Sequence, residues 1–161
     1  MCAKKLITDR KTALEKGARY CAYQERSQQE VRDKLYEAGV AASLVEEIIS
    51  ELIQQDFINE ERFARAWAGG KFRIKGWGRI KIRKGLQFKR VSEYCIRAGL
   101  AEIDEAAYYQ KLTGLLEEKL RSLSGTNPFM NKRRAATYAI SRGYEPELVW
   151  EVIREYTERE K

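Results

Sequence analysis

Three copies of one helical pattern follow one another along the chain, and this repetition restricts the fold more than any other sequence feature. Each copy spans roughly fifty residues and places apolar residues at the three- and four-residue spacing of amphipathic helices. Because one three-helix unit buries little apolar surface, neighbouring copies are expected to stack on one another. The positions that correspond in the three copies are Ser27, Gly78 and Asn131; Val31, Ile82 and Ala135; and Leu35, Leu86 and Ala139.

We predict an all-α protein in which three tandem three-helix repeats form an elongated, curved array. Residues 79–83 alternate charged and apolar side chains as an exposed strand does. The repeat places Ile82 and Leu86 one helical turn apart, however, so we predict a helix there. The predicted boundaries are a flexible basic arm over 1–8, a first repeat over 9–57, a second, basic repeat over 58–103, a third repeat over 104–157 and a frayed tail over 158–161.

The second helix of the first repeat has signals at both ends. Ser27 and Glu30 form a capping-box pattern, in which the hydroxyl bonds an open amide and the carboxylate reaches back. Gly39 is suited to end this helix, because glycine adopts the left-handed backbone that closes many helices. The corresponding residues are Arg90 in the second repeat and Gly143 in the third, so the second repeat departs from the pattern.

A basic segment from Arg62 to Ser92 contains eleven Lys and Arg residues and no Asp or Glu. Because the whole chain has a net charge of only +7, the remainder is net negative. This density of positive charge favours an acidic partner, either a nucleic-acid backbone or a carboxylate-rich protein groove. A solvated helix face is the alternative, and the absence of opposing carboxylates in the segment favours a binding surface.

Within the basic segment, we predict that a helix over about 79–89 presents cations to the partner. At about 100° per residue, Arg79, Arg83 and Arg90 fall within roughly 40° of one another. Lys81 and Lys84 then point to the other side of the helix. The predicted contact residues are Lys71, Arg73, Lys75, Trp77, Arg79, Lys81, Arg83, Lys84, Lys89 and Arg90.

Trp77 lies between Gly76 and Gly78, in the middle of the basic segment. The two glycines permit a close approach of the backbone to a partner. Trp77 either stacks on a base or enters a partner pocket, and burial between repeats is an equally weighted alternative.

A secondary basic patch of Lys132, Arg133 and Arg134 begins the second helix of the third repeat. It either extends the basic surface or is a solvated helix start. The second interpretation is favoured, because exposed cations at a helix start lose little energy.

Several kinds of chemistry are excluded by residue type. The chain contains no histidine, so we predict no His-based dyad or triad and no His-containing zinc site. Gly69, Gly70 and Lys71 lack the hydroxyl residue and the earlier glycine of a phosphate-binding loop. The sequence also has no metal-ligand spacing or acidic catalytic pair. We therefore predict a binding protein and not an enzyme, with no catalytic residue, cofactor or metal.

Cysteine usage and hydropathy indicate a soluble, cytoplasmic protein. Cys2, Cys21 and Cys95 cannot all pair within one chain, which favours a reducing compartment. Cys21 and Cys95 are predicted to be buried, since both lie among apolar residues. No apolar run approaches the roughly 20 residues that cross a bilayer.

Two blocks of the sequence resemble the RecX family of bacterial regulatory proteins. The first comprises FINEERFA at 57–64, Trp67, and KGWGRIK at 75–81. The second, from Ser27 to Val40, resembles the first repeat of the same family. The resemblance covers nearly the whole chain and includes the order of three helical repeats.

This resemblance implies regulation of the RecA recombinase. Family members bind the RecA filament on single-stranded DNA, lie in its helical groove across neighbouring subunits, and usually inhibit strand exchange and ATP hydrolysis. The partners implied are therefore the RecA filament and single- or double-stranded DNA without strong sequence preference. A monomer without membrane association is expected, acting in DNA repair, recombination and the SOS response.

The residues alone leave two other functions open. A stand-alone helical repressor would place a recognition helix in the major groove. Gln87 is the one amide side chain in the predicted helix that reads bases well, which favours backbone contact instead. A protein-only adaptor would bind recombinase without DNA, and its binding would depend weakly on salt.

Overall fold

The computed structural model describes residues 4–123, 125 and 127–161, and these residues form nine α-helices. The prediction of an all-α chain with three sets of three helices is confirmed; the described part has no β-pairing beyond one isolated bridge. None of these helices is long and apolar enough to cross a membrane. The helices are α1 (Arg10–Tyr23), α2 (Gln28–Glu37), α3 (Ala42–Gln54), α4 (Glu60–Lys75), α5 (Arg79–Phe88), α6 (Glu93–Ala101), α7 (Glu105–Ser122), α8 (Pro128–Ser141) and α9 (Pro146–Arg159).

The chain divides into two compact units that do not follow the repeat boundaries. The first unit runs to Trp67 and also includes Leu86–Gly99. The second comprises Ala68–Gly85 and Leu100–Lys161. The three helices of the second repeat, α4, α5 and α6, therefore each contribute residues to both units.

In the first unit, the predicted capping box of α2 is confirmed. Ser27 Oγ accepts a hydrogen bond from the Glu30 amide, and the Glu30 carboxylate accepts one from the Ser27 amide, both at 3.1 Å. Ser27 is fully buried, so these bonds replace those that water would supply. The predicted helix end at Gly39 is also confirmed, with φ at 89°. The core of this unit includes Ala13, Val31, Leu35, Val45, Ile48, Ile49 and Leu52.

The predicted flexible arm is wrong for its described part, residues 4–8. The Ile7 amide donates to Gly39 O at 2.7 Å, and Ile7 O accepts from the Ala41 amide at 2.9 Å. These two bonds form a parallel bridge between the segment and the turn after α2. The segment is held because its backbone pairs with a turn whose position α2 already fixes. Residues 1–3 of the arm lie outside the described residues.

Two helix ends in the third repeat differ from the prediction. Helix α9 continues to Arg159, so the predicted frayed tail, 158–161, begins inside a helix. Helix α8 begins at Pro128, and its N-cap is Asn127, whose side chain accepts from the first amides of the helix. Asn131, which the repeat aligns with the capping Ser27, therefore lies inside α8. An added turn with its own cap extends this helix beyond the length of α2.

The second unit contains a group of three packed aromatic rings. The ring centroid of Tyr108 lies 5.8 Å from that of Phe72 and 5.1 Å from that of Tyr144. Both tyrosines are buried, and a buried phenol needs a hydrogen-bond partner. The Tyr108 hydroxyl donates to Glu145 Oε1 at 2.7 Å, and the Tyr144 hydroxyl donates to Gly76 O at 3.0 Å. The rings thus connect the end of α4 with α7 and the start of α9.

A contact between two backbones joins the start of α5 to the turn between α8 and α9. The Gly78 amide donates to Arg142 O at 2.8 Å, and the Ile80 amide donates to Gly143 O at 2.9 Å. A Cβ on Gly78 would lie 2.3 Å from the Gly143 carbonyl carbon, which is closer than non-bonded atoms approach. Gly78 thus admits the chain's own backbone, and the prediction that it admits a partner is wrong.

We expect Gly78→Ala to destabilise the second unit by about 3 kcal/mol or more, because the clashing atoms are backbone and cannot rotate away. Gly114→Ala in α7 is the matched control. A Cβ there has nothing within 4 Å, and alanine favours a helix over glycine by roughly 0.5–1 kcal/mol. Urea unfolding followed by circular dichroism compares the two variants. Equal stability would contradict the importance of the Gly78 contact.

The buried tyrosines predict a loss of stability at alkaline pH. Burial raises the pKa of Tyr144 to about 12, and burial together with the Glu145 hydrogen bond raises the pKa of Tyr108 further. An unfolded phenol has a pKa of about 10. The stabilisation is therefore complete below about pH 10 and is lost as the pH rises through the folded values. Tyr144→Phe removes one titrating group, so its urea midpoint should fall less steeply above about pH 10. Parallel pH profiles for the two proteins would refute this assignment.

Candidate nucleic-acid and protein interface

The first turn of α5 is held by groups from the third repeat. In α2, the equivalent turn is capped by the side chain of Ser27. In α5, the Arg79 amide donates to the Tyr108 hydroxyl at 3.1 Å, and the Ile80 amide donates to Gly143 O. These bonds satisfy amides that a helix start leaves open. The N-terminal part of the basic helix is therefore oriented within the second unit before any partner binds.

Arg79 is compensated within the second unit. Its Nη2 lies 2.6 Å from Glu105 and its Nη1 lies 3.4 Å from Glu145, and its guanidinium stacks at 3.9 Å over the Tyr108 ring. Burial alone would lower the pKa of Arg79, but the carboxylates outweigh burial and the net pKa is raised. The expectation of an unopposed cation is wrong at this position, and the side chain ties α5 to the starts of α7 and α9.

Cations of the basic segment that lie in the first unit also have carboxylate partners. Two of these carboxylates precede the segment by many residues, so a window of local sequence does not reveal the compensation. The segment is thus less strongly positive in the fold than its composition predicts. The ion pairs are Lys89 with Glu30 at 2.6 Å, Arg62 with Glu25 at 2.5 Å, and Arg65 with Glu61 at 2.5 Å.

Arg90 lies past the end of α5, so its predicted helical alignment with Arg79 and Arg83 is wrong. Its φ of 59° falls in the left-handed region, where residues other than glycine are strained. Gly39 and Gly143 occupy the corresponding turns with φ of 89° and 99°. The second repeat therefore keeps the turn geometry but carries an exposed arginine at the glycine position.

Trp77 is partly buried in the second unit, with lysine ammonium groups over its ring. Lys71 Nζ lies 4.8 Å and Lys81 Nζ lies 4.5 Å from the ring centroid. Each position is suited to a cation–π interaction. The ring is not among the fully buried side chains, so burial in the core does not account for it. The arrangement instead holds two positive charges beside a partly accessible aromatic surface.

The second unit exposes further predicted contact cations. Arg73 and Lys75 are exposed in the last turn of α4, where the helix dipole favours positive charge. Lys84 is exposed on α5, whereas Arg83 is half-buried. These side chains reach solvent from two successive helices, so the surface of this unit is cationic around the turn that contains Trp77.

A cleft of about 600 Å³ beside Lys75 contains cations that were not predicted from the sequence. Lys111, Lys119 and Arg142 line it. Arg142 Nη2 donates to Lys75 O at 2.8 Å, and its buried Nε has no hydrogen-bond partner within the described chain. No local signal marks these residues, because α7 and α8 lie far from Lys75 in sequence and only the fold brings them together.

The secondary basic patch lies away from this cleft along α8. Lys132 is half-buried, and Arg133 and Arg134 are exposed. All three occupy the N-terminal half of α8, whereas Arg142 follows its C-terminal end. The helix starts at Pro128, so the predicted placement of the patch at the helix start is wrong.

The two described cysteines are free thiols. Cys21 is buried as predicted, and burial raises its pKa to about 11, which disfavours the reactive thiolate. Cys95 is only half-buried, and Cys2 lies outside the described residues. Within the described residues there is no group of three or more Cys, Asp or Glu side chains arranged to hold a metal ion.

Family models for RecX match three consecutive parts of the chain. The model of the first three-helix domain matches residues 13–52, that of the second matches 59–100, and that of the third matches 106–153. The matched ranges coincide with α1–α3, α4–α6 and α7–α9 in order.

Known relatives are similar over most of the chain. The regulatory protein RecX of Prosthecochloris aestuarii is 28% identical over 92% of this chain and 95% of its own length. The regulatory protein RecX of Bacillus mycoides is 25% identical over 81% of this chain, which spans about half (48%) of that longer relative. The crystal structure of RecX from Lactobacillus salivarius shares the fold, with a TM-score of 0.83 at 20% identity over 91% of this chain and 95% of that one. The chain therefore belongs to the RecX family.

Proposed function

We propose that this chain binds the filament that RecA forms on single-stranded DNA and inhibits strand exchange and ATP hydrolysis. It would act as a cytoplasmic monomer in DNA repair, recombination and SOS control. The observation that carries the proposal is the match to all three RecX domains in order. The matched relatives are named regulatory proteins, which agrees with a role in control of another activity.

The proposed contact surface is centred on Trp77 in the second unit. Lys71 and Lys81 hold positive charge at the ring, and phosphates attract such charge from a distance. An accessible part of the indole offers a face on which an unpaired base stacks. The other proposed contact residues in this unit are Arg73, Lys75, Arg83, Lys84, Lys111, Lys119 and Arg142.

Two predicted contact residues receive a different role in this proposal. Arg79 and Lys89 are paired with carboxylates, and breaking those pairs would cost part of what a new contact gains. We assign them to holding the fold. Arg90 remains a proposed contact, because it is exposed at a strained turn.

Inhibition of this kind needs no catalytic group. Strand exchange and ATP hydrolysis require the filament to change conformation and turn over subunits. A protein that binds one state of the filament more tightly shifts the population towards that state by the difference in binding free energy. Several helical repeats that contact successive subunits would also gain from their linkage in one chain.

A repressor that reads bases with α5 is disfavoured by how α5 begins. Helix-turn-helix proteins contact bases with the N-terminal residues of the recognition helix. Here those residues are occupied, since the amides of Arg79 and Ile80 bond to Tyr108 and Gly143 and the Arg79 side chain is paired. Backbone contact without strong sequence preference therefore agrees better with this geometry.

The test is an assay of RecA ATP hydrolysis on single-stranded DNA across a salt series. We expect the chain to lower the rate. A variant with Lys75→Gln, Lys81→Gln and Lys84→Gln should need about 10-fold more protein for the same inhibition, because each lost phosphate contact lowers the salt slope by roughly 0.7. Arg154→Gln is the control, since this exposed cation lies on α9 outside the proposed surface. Inhibition by the triple variant at the wild-type concentration would reject the proposed surface.

We expect Arg90→Gly to raise stability while weakening filament binding. Glycine relieves a left-handed backbone that costs about 1 kcal/mol or more, but removes a cation from the proposed contact. Arg90→Ala is the matched variant, since it loses the same charge and keeps a Cβ. Urea unfolding should rank glycine above both arginine and alanine, and filament binding should fall equally in the two variants. A glycine variant no more stable than the alanine variant would disprove strain at this turn.

A further inference from the structure

The first unit contains a groove between α1 and α2, formed by residues that precede the basic segment. Its volume is about 440 Å³, within the range of pockets that hold small organic groups. Lys16, Arg19, Tyr20 and Tyr23 line it from α1. Their spacing of three and four residues places them on one helix face, so cations and aromatic rings are interleaved along it.

The polar side chains of the groove are cationic. Arg26 and Lys34 add two positive charges to those of Lys16 and Arg19, and no carboxylate lines the groove. Among the described residues, none of these four cations is in an ion pair. Glu25, the nearest acid in sequence to Arg26, is held by Arg62 instead. The groove therefore has positive charge without internal compensation, which favours an anionic ligand.

The aromatic part of the groove is partly assembled in advance. The Arg26 guanidinium lies 3.9 Å over the Tyr20 ring, and its Nε donates to Tyr20 O at 3.2 Å. Lys34 Nζ lies 5.5 Å from the same ring. Tyr23 is 85% exposed, and its ring centroid is 5.9 Å from the Arg26 guanidinium. An exposed ring thus stands next to a guanidinium whose orientation two contacts already fix.

We propose that this groove binds single-stranded nucleic acid as a second site, separate from the Trp77 surface. A base stacks on Tyr23 beside the Arg26 guanidinium, and Lys16, Arg19 and Lys34 contact the flanking phosphates. Aromatic rings and guanidinium planes stack on unpaired bases, whereas a duplex hides its base faces and an acidic peptide offers no such face. The proposal stands on direct binding by the first repeat; its contribution to filament regulation rests on the proposed function.

The test measures binding of a labelled oligothymidylate of about 12 nucleotides to the full chain without recombinase. We expect Tyr23→Ala to weaken binding about 10-fold and to leave the salt slope unchanged, because stacking releases no counterions. Arg19→Gln should instead lower the slope by roughly 0.7. Photocrosslinking with 5-iodouracil in the strand should place the adduct on the α1 peptide that contains Tyr20 and Tyr23.

Two matched variants control for general effects. Tyr36→Ala removes an exposed tyrosine of α2 outside the groove, and Lys11→Gln removes an exposed cation of α1 outside it. Both should bind as the wild type does. Binding of duplex DNA should be insensitive to Tyr23→Ala.

Three outcomes would overturn the groove site. These are a Tyr23→Ala variant that binds like Tyr36→Ala, an equal loss of duplex and single-strand binding, and competition by polyglutamate at equal charge concentration. Tight binding of free thymidine monophosphate would likewise replace a strand site with a mononucleotide site. Because no recombinase is present, a failure of this test is distinguishable from a failure to inhibit RecA.

Discussion

The contact between the Gly78 and Gly143 backbones determines how the basic helix is held in the second unit. Only residues without a Cβ allow the two chains to approach this closely, and the approach lets two amides at the start of α5 reach carbonyls after α8. Tyr108 and Tyr144 then reach the same turn with buried hydroxyls. The orientation of α5 and the packing of the third repeat are thus one structural problem, solved by the same few bonds.

This arrangement explains why the cations of the basic segment have two roles. Arg79 stands at the docked start of α5, where Glu105 and Glu145 surround it, so its charge is used in the fold. Lys84 lies farther along α5 and is exposed, so its charge remains available to a partner. A charge count cannot separate the two roles, because the compensating carboxylates lie far away in sequence. Position along the helix decides the role of each cation.

Local interactions made much of the fold predictable. The capping box of Ser27 and Glu30, the turn at Gly39, and the helical assignment of residues 79–83 depend on neighbouring residues, and each is confirmed. The pairing of Ile7 with the turn after α2 depends on a distant backbone and carries no periodic signal. The Trp77 region was recognisable from its composition, whereas the cations beside Lys75 and the groove of the first unit required the packing of helices to be known.

The turn that ends the second helix shows how one geometry serves different purposes in the three repeats. In the first and third, the glycine carbonyl accepts an amide from a docked segment, at Ile7 in one case and Ile80 in the other. A Cβ on Gly143 would lie 2.6 Å from the Lys81 amide nitrogen, so a side chain and a docked backbone exclude each other there. Arg90 has a side chain at the equivalent position. Its turn cannot receive a backbone in the same way, and it exposes a cation at the cost of a strained φ. Replacement of glycine by arginine therefore changes a turn used for internal docking into one that presents charge, without a change in the course of the chain.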